Sequence, residues 1–237
     1  MANNADDDFD GDIFIYRGGR APQHITHARI DKSVDDIEDV AFWDCEDLAQ
    51  VDTHDGIRRI GNGAFQDCAL LGRINLKSAV EIDALAFFHC DNLESVEFGD
   101  RLETIGNNSF NGCPSLKHLK LPTIITIGDY AFHNCTHLID VELSERLETI
   151  QRGAFHGCER LQRIAIPLKR DLFAFSDFYQ KYNQFDECEE LTTVDLVGGI
   201  DKAVASLHRK VGGLKWLQKS IESITVFQLH PLMKRLL

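Results

Sequence analysis

Phenylalanine recurs along this chain of 237 residues at an almost constant interval. Six of these residues are separated by 23, 22, 23, 22 and 23 positions; they are Phe42, Phe65, Phe87, Phe110, Phe132 and Phe155. A fixed period of this length is the sequence signature of a repeat architecture. A unit of 22 or 23 residues cannot bury its apolar face alone, so successive units must stack and share one core. We therefore expect a solenoid in which the phenylalanines form a column.

Other residue types keep the same period. Alanine precedes each of these phenylalanines except at Ser109, cysteine follows three positions later, and leucine follows the cysteine by three. After each leucine, one further apolar position and usually a second alternate with polar ones as in a β-strand, for example Ile74 and Leu76 after Leu71. An isoleucine lies five residues before each phenylalanine. Each unit thus contains a strand, a return segment and a turn.

The repeat extends beyond the six phenylalanines at both ends. An incomplete first coil is indicated by Ile25, Ala28 and Ile30. After Phe155 the interval lengthens to 30 residues, and the pattern then resumes at Phe185, Cys188, Leu191, Val194 and Leu196. The extra residues predict an inserted loop at about 168–181. We expect an α/β-type repeat solenoid over residues 13–199, with a parallel sheet of about eight short strands.

The two ends of the chain differ from the repeats in composition. Residues 1–12 hold five aspartates and are predicted to form a disordered acidic tail. Residues 201–237 carry seven cations against two anions, and their apolar residues recur at helical spacing: Val204, Leu207, Val211, Leu214, Leu217, Ile221 and Ile224. We expect residues 200–237 to be a helical cap over the open end of the solenoid, or a tail that binds a partner or a membrane.

Charge and hydropathy restrict the partners of the chain. The net charge is −13, and residues 13–200 carry 18 cations against 31 anions. An acidic body repels phosphate backbones, so no nucleic-acid partner is expected. The sequence shows neither a secretory signal nor a run of 18 apolar residues. These features predict an intracellular, cytoplasmic protein in which only residues 201–237 offer membrane contact.

Residue types that often carry chemistry are explained by the repeat. All seven cysteines occupy one repeat column, which favours small buried apolar residues over a metal or disulfide site. Aspartates at 6, 8 and 10 imitate the start of an EF-hand loop, but Arg17 stands where the bidentate glutamate is required. His133 and His156 share a repeat position that also holds tryptophan, glutamine, phenylalanine and asparagine. We expect no cofactor, no metal and no enzymatic activity.

One segment of the repeat resembles a known family. The sequence from Ile127 to Leu138, Ile-Gly-Asp-Tyr-Ala-Phe-His-Asn-Cys-Thr-His-Leu, is similar to the unit of the BspA-type, or treponemal-class, leucine-rich repeats. The resemblance covers about residues 25–197, and the lead-in from Tyr16 to Asp31 resembles versions found in eukaryotic algae. The resemblance implies a right-handed leucine-rich-repeat solenoid with a parallel sheet on one face, used for recognition or adhesion. It implies no reaction.

The solvent-facing side of the predicted sheet is the candidate binding surface. Strand side chains alternate between faces, so the residues between core positions form two outward ladders across the sheet. The candidate partner-binding residues are Arg73, Asn75, Ser95, Glu97, His118, Lys120, Asp140, Glu142 and Arg163 in the ladders, and Phe175 and Tyr179 in the inserted loop.

The sequence therefore predicts a non-enzymatic protein–protein interaction module that binds another protein through the sheet face and the inserted loop. Two alternatives stay open at this stage. One is a structural subunit of a larger assembly, which the aromatic residues of the inserted loop favour. The other is a membrane-associated adaptor that uses the basic C-terminal amphipathic segment.

Overall fold

A computed structural model describes residues 8–167, residue 172 and residues 184–197. These residues form a β-solenoid and contain no α-helix. The return segments that an α/β-type repeat would fill with helix consist of turns and two-residue strands. The predicted inserted loop, except for Leu172, and the predicted helical cap at 200–237 lie outside the described residues.

The front sheet contains one strand from each coil, and neighbouring strands are parallel. It has nine parallel strands where about eight were expected: β2 Ile13–Tyr16, β3 His27–Ile30, β5 Gln50–Asp52, β7 Arg73–Leu76, β9 Ser95–Phe98, β11 His118–Leu121, β13 Asp140–Leu143, β15 Arg163–Pro167 and β16 Thr193–Val197. Its hydrogen bonding divides into two sections, β2 to β9 and β11 to β16. Strands β9 and β11 remain side by side at the division.

A second, narrower sheet runs along the solenoid at the isoleucine column. Its parallel strands have two residues each: β4 Asp36–Ile37, β6 Arg59–Ile60, β8 Glu81–Ile82, β10 Thr104–Ile105, β12 Thr126–Ile127 and β14 Thr149–Ile150. In every pair the isoleucine is buried and lies beside the isoleucine of the next coil. The sheet position explains the isoleucines, because β-branched side chains suit the pleated, half-buried surface of a strand.

The repeat phenylalanines form a continuous stack in the core. Consecutive rings lie 4.9 to 5.5 Å apart between centroids, with interplanar angles of 3° to 9°, from Phe42 to Phe185. Each of these rings is at most 1% exposed. The predicted column is thus confirmed. Tyr16, 4.9 Å from Phe42, adds one more aromatic ring at the N-terminal end of the stack.

Hydrogen bonds join the turns of successive coils. The amide of each repeat phenylalanine donates to the carbonyl of the residue that precedes the phenylalanine of the next coil, as Phe110 does to Ala131. The cysteine thiol donates in the opposite direction, as Cys113 does to the carbonyl of Phe87 at 3.1 Å. The same thiol bond recurs at Cys68, Cys90, Cys135, Cys158 and Cys188. Cysteine therefore fits this column because it is small and apolar yet satisfies a buried carbonyl.

Two positions of each turn adopt a left-handed backbone. They lie two residues before and two residues after the repeat phenylalanine, with φ between 54° and 72°. Glycine, asparagine and aspartate fill many of these positions, as expected from their tolerance of positive φ. Val40, Leu85 and Tyr130 are bulky exceptions at the first position. For a β-branched residue such as Val40 this conformation is a genuine outlier.

A β-hairpin closes the N-terminal edge of the front sheet. Strand β1, Phe9–Asp10, pairs antiparallel with β2, and Phe9 packs edge-on against Phe14 with centroids 5.5 Å apart. Strand β1 lies inside the range expected to be a disordered acidic tail, residues 1–12, whereas β2 follows that range. Pairing begins at Phe9 because its ring packs against Phe14 and because Asp10 forms an ion pair with Arg29. A two-residue edge strand with a charged residue also protects the sheet from edge-to-edge association.

Replacing Ser109 with alanine is expected to stabilise the protein by about 1 kcal/mol. Ser109 is fully buried, and its hydroxyl has no hydrogen-bond partner. Alanine occupies the same position in the coils on either side, at Ala86 and Ala131. The change therefore removes an unsatisfied polar atom without altering the packing of the turn. Urea denaturation of both proteins measures the difference, and a destabilised S109A protein would contradict the expectation.

Candidate functional site

The outward ladders of the front sheet assemble most of the predicted site residues on one surface. Backbone register places Arg73 beside Ser95 and Asn75 beside Glu97. On the other side of the β9–β11 division, Asp140 lies between His118 and Arg163 in one ladder. In the neighbouring ladder, Lys120 lies beside Glu142. Phe175 and Tyr179 lie outside the described residues.

Charges in the C-terminal half of the face are held in an ion-pair network. Arg163 donates to Asp140 at 2.8 Å and to Asp195 at 2.6 Å, and lies 3.6 Å from Glu142. The hydrogen bonds to Asp140 and Asp195 raise the pKa of the Arg163 guanidinium above its ordinary value. Lys120 lies 3.6 Å from Glu142. Arg163 thus joins three adjacent strands through fixed, charge-assisted contacts.

The N-terminal half of the face is paired in a similar way. Asp52 Oδ2 lies 3.0 Å from His27 Nε2 and 3.6 Å from Arg29 Nε. Burial opposes ionisation of Asp52, but hydrogen bonds from Gln50 and His27 outweigh it and lower the pKa of the Asp52 carboxyl. Farther along the face, Lys77 contacts Glu97 at 2.8 Å, and this hydrogen bond lowers the pKa of Glu97. Most charges on this half are therefore neutralised within the chain.

The centre of the face is an exception to this pairing. Arg73, Ser95 and His118 are exposed, and none of their side chains makes a hydrogen bond or ion pair with another described residue. Arg73 and Ser95 are register partners on adjacent strands, and His118 occupies the same ladder on the following strand. The face therefore presents an unengaged guanidinium, hydroxyl and imidazole between two self-neutralised regions.

The turns form a second surface, which we call the turn ribbon. We number the coils by their repeat phenylalanines, from coil 1 at Phe42 to coil 5 at Phe132. The ribbon consists of the side chains two residues before and one residue after the repeat phenylalanine in these coils, namely Val40, Trp43, Gly63, Gln66, Leu85, Phe88, Asn108, Asn111, Tyr130 and His133. Apolar or aromatic pairs occupy coils 1, 3 and 5, whereas glycine and amides occupy coils 2 and 4. Val40 and Trp43 are 42% and 38% exposed. Sequence reasoning considered only the second position of each pair and so missed this alternation.

Gly153→Ala is expected to destabilise the protein by about 1–3 kcal/mol. Part of this cost comes from Tyr130, the bulky residue at the same position of the preceding coil. Gly153 has φ of +59°, and a Cβ there would collide with the Tyr130 ring. In a Tyr130→Asn background only the backbone strain remains, so alanine should then cost about 1 kcal/mol. Asn108 shows that the turn accepts asparagine at this position. Equal costs in both backgrounds, measured by urea denaturation, would contradict this coupling.

Candidate metal positions prove to be occupied by other interactions. Asp8 and Asp10, which imitate an EF-hand loop, form ion pairs with Arg17 and Arg29 at 3.0 and 3.1 Å. Within residues 8–167 and 184–197, no three histidine, cysteine or acidic side chains are grouped to hold a metal ion. Among the same residues, no helix has the length and apolar character needed to span a bilayer.

The two histidines of adjacent turns do meet. The rings of His133 and His156 lie 4.9 Å apart in an edge-to-face arrangement, and His133 Nδ1 is 3.1 Å from Asn111 Oδ1. Burial, followed by the proximity of His156, lowers the pKa of His133. Glu187 Oε2 lies 3.9 Å from His156 Nδ1. The pair is therefore a packed, partly buried contact between coils.

The cysteines are buried groups with suppressed acidity. Six of the seven are completely buried, and Cys188 is half-buried. Desolvation raises the pKa of Cys45 to about 11 and that of Cys135 to about 12. The pKa values of Cys68, Cys90, Cys113 and Cys158 are raised as well, for the same reason. A protonated, buried thiol is a poor nucleophile and a poor metal ligand.

Comparison with solved structures gives the same architecture. A leucine-rich repeat protein of T. pallidum has a TM-score of 0.61 and 25% sequence identity, over 76% of this chain and 82% of that chain. A leucine-rich repeat protein of Bacteroides ovatus has a TM-score of 0.49 and 22% identity, over 72% of this chain and 44% of that chain. The T. pallidum protein is bacterial, and the algal likeness of the lead-in finds no support in it.

Sequence comparison identifies the repeat. No curated protein is detectably similar to this chain. The family model described as "BspA type Leucine rich repeat region" matches six copies, over residues 21–123 and 73–192. These two overlapping ranges contain the phenylalanine stack, the cysteine column and most of the front sheet. This chain therefore belongs to the BspA-type leucine-rich repeat family.

Proposed function

We propose that this protein is a non-catalytic recognition module that binds another protein through the front sheet, with Arg73, Ser95 and His118 at the centre of the contact. Its repeat family suggests a protein-interaction module. Stacked repeats also provide an extended surface in which each coil adds one rung. The observation that carries the proposal is the group of unengaged polar side chains between two ion-paired regions of one face.

The ion pairs favour this surface because they fix side chains before binding. Immobilising a flexible side chain at an interface costs about 0.5–1.5 kcal/mol. Arg163 is already held by carboxylates on both neighbouring strands, and Lys77 by Glu97. A partner that contacts these residues therefore loses less conformational entropy than it would against free lysines and arginines.

The chemistry at the centre favours a partner with a carboxylate. Arg73 is a rigid fork of donors suited to bidentate contact with such a group. Ser95 and His118 stand in the same ladder and supply further donors within one or two strands. Arginine is also enriched among the residues that dominate interface energies. We therefore assign Arg73 to an acidic side chain or chain terminus of the partner.

The inserted loop extends the proposed surface. It follows β15 directly after Pro167, and β16 continues the sheet from Thr193. We include Phe175 and Tyr179 in the proposed contact because aromatic residues are enriched at protein interfaces.

The test is affinity capture of the partner from the cells that make this protein, followed by titration with variants. Arg73→Glu should weaken binding by about 2 kcal/mol or more, roughly 30-fold in Kd. Arg160→Glu is the matched control, since Arg160 is an exposed arginine outside the front strands that pairs with no acidic residue of the described part of the chain. A partner that binds wild type, R73E and R160E equally would place recognition elsewhere. Capture of no partner would count against the recognition module itself.

A further inference from the structure

The alternation of the turn ribbon has a measurable period. Ring centroids in coils 1, 2 and 3 are separated by 4.9 and 5.2 Å, so equivalent positions two coils apart are about 10 Å apart. From this spacing of the coils, we infer a separation of about 10 Å between the apolar pair Val40 and Trp43 and the apolar pair Leu85 and Phe88. Gly63 and Gln66 lie between them. The ribbon thus presents two apolar pairs about 10 Å apart. Between them lie glycine, which has no side chain, and a polar glutamine.

This period matches one regular backbone better than others. Seven residues of α-helix span about 10.5 Å and return to the same face. Three residues of polyproline II helix span about 9.3 Å, and same-face positions on a strand fall near 6.7 or 13.4 Å. An amphipathic helix with apolar residues seven apart therefore fits both apolar pairs at once.

The bulky residues at the first position of the ribbon carry a backbone strain that glycine or asparagine would reduce. Val40 adopts φ of 54° and Leu85 φ of 59°, where Gly63 and Asn108 in other coils adopt the same conformation with less strain. Val40 and Trp43 also keep exposed surface, even though the Arg20 guanidinium lies 4.6 Å from the centroid of the Trp43 ring, and Leu85 and Phe88 are half-buried. Strained apolar residues in alternate coils, with exposed surface at Val40 and Trp43 and half-buried surface at Leu85 and Phe88, favour a binding role.

The chain itself contains a segment with the required spacing. Leu214 and Ile221 are seven residues apart, as are Leu217 and Ile224, which makes residues 214–224 an a/d pattern of apolar residues. We propose that residues 214–224 form an amphipathic helix that docks on the turn ribbon across the Val40–Trp43 and Leu85–Phe88 pairs. In this arrangement, the helix residue midway between the two apolar contacts lies over Gly63 and Gln66.

Charge and chain length agree with this assignment. Asp44 and Asp67 border the ribbon in coils 1 and 2, two residues after the repeat phenylalanine. The segment carries Lys215 and Lys219 against a single acid, Glu222. Sixteen residues separate Val197, the last described residue, from Leu214. At about 3.3 Å per extended residue this connection reaches any coil of the solenoid.

The test measures access to Trp43 in the full chain. Trp216→Phe leaves Trp43 as the only tryptophan, and acrylamide quenching of its fluorescence is then compared with that of the same protein ended at residue 200. A docked helix excludes quencher from the ring, so the quenching constant of the full chain should be about twofold lower. Equal quenching in the two proteins would overturn the proposal.

Two matched pairs of variants test the contact from each side. On the segment, Leu214→Asp with Ile221→Asp should restore quenching to the level of the shortened chain. Gln218→Asp with Ser223→Asp adds the same charge away from the apolar positions and should not. On the ribbon, Leu85→Asn with Phe88→Asn copies the residues of coil 4, Asn108 and Asn111, and should also restore quenching. If neither the apolar segment variant nor the ribbon variant increases quenching, the proposed contact is wrong.

Dilution of the protein distinguishes docking of the segment within one chain from docking between two copies of the chain. An intrachain helix gives protection that is independent of protein concentration. Protection that disappears on dilution would overturn the intrachain assignment and place the segment of one molecule on the ribbon of another. Retained cooperative unfolding of each variant shows that changes in quenching do not come from loss of the fold.

Discussion

Replacing Phe110 with alanine is expected to lower the free energy of unfolding by about 3–5 kcal/mol, the largest effect of any single substitution considered. Phe110 lies between Phe87 and Phe132, with ring centroids 5.0 and 5.3 Å away, and Phe98 packs edge-on against it at 6.1 Å. The surrounding coils cannot close the cavity, because the amide ladder of the turns fixes their spacing. A cavity that does not collapse carries the full cost of the lost contacts.

The central position of Phe110 adds a second effect. Stability in a solenoid depends on contacts between neighbouring coils, so a defect in the middle uncouples the two ends. Urea denaturation of F110A should show a lower midpoint and a broader transition than wild type. Leu70→Ala is the control, because Leu70 is 48% exposed and outside the stack. Its cost should stay below about 1 kcal/mol. Equal costs for the two variants would contradict a structural role for the stack.

Raising the pH above 9 is expected to unfold the protein cooperatively. Six fully buried thiols have pKa values raised by desolvation above their ordinary value of about 9. A raised pKa means that the folded state holds the proton more tightly than the unfolded state does. This stabilisation is complete below about pH 9 and is lost as the pH rises toward the folded-state values.

The expected slope is steep because the thiols act together. Each contributes about 1.4 kcal/mol per pH unit above pH 9, so six contribute about 8 kcal/mol per unit. A typical domain stability of about 5–15 kcal/mol is then exhausted within one or two units. Cys113→Ala should reduce the slope by about 1.4 kcal/mol per unit, whatever it does to stability at pH 7. Denaturant midpoints measured from pH 7 to 10.5 test this, and a flat profile would show that the thiols ionise in the folded protein.

The periodic features of the fold were predictable from the sequence. Spacing of phenylalanine, cysteine and leucine requires stacked coils, and the structure places these residues in buried columns. The outward ladders also follow from spacing, because a register of 22 or 23 residues fixes which residues lie side by side.

Features that depend on one coil, or on rotamers, were not predictable in this way. Tyr16 lies in the ring stack although neither cysteine nor leucine follows it at the repeat spacing. The division between β9 and β11 has no counterpart in the periodicity. Which charges on the front face neutralise one another depends on side-chain geometry across strands. Arg73 and Arg163 occupy the same ladder, yet within residues 8–167 and 184–197 only Arg163 is paired.

Carboxyl footprinting of the captured complex tests most directly the claim that the front sheet binds the partner. Carbodiimide labelling of the free protein and of the complex compares the reactivity of Glu97, on the same front strand as Ser95, with that of Glu46 and Glu189, exposed residues of the turns. Recognition by the front sheet predicts that Glu97 loses reactivity in the complex while Glu46 and Glu189 keep theirs. Unchanged labelling of Glu97, with protection confined to the turns, would contradict it.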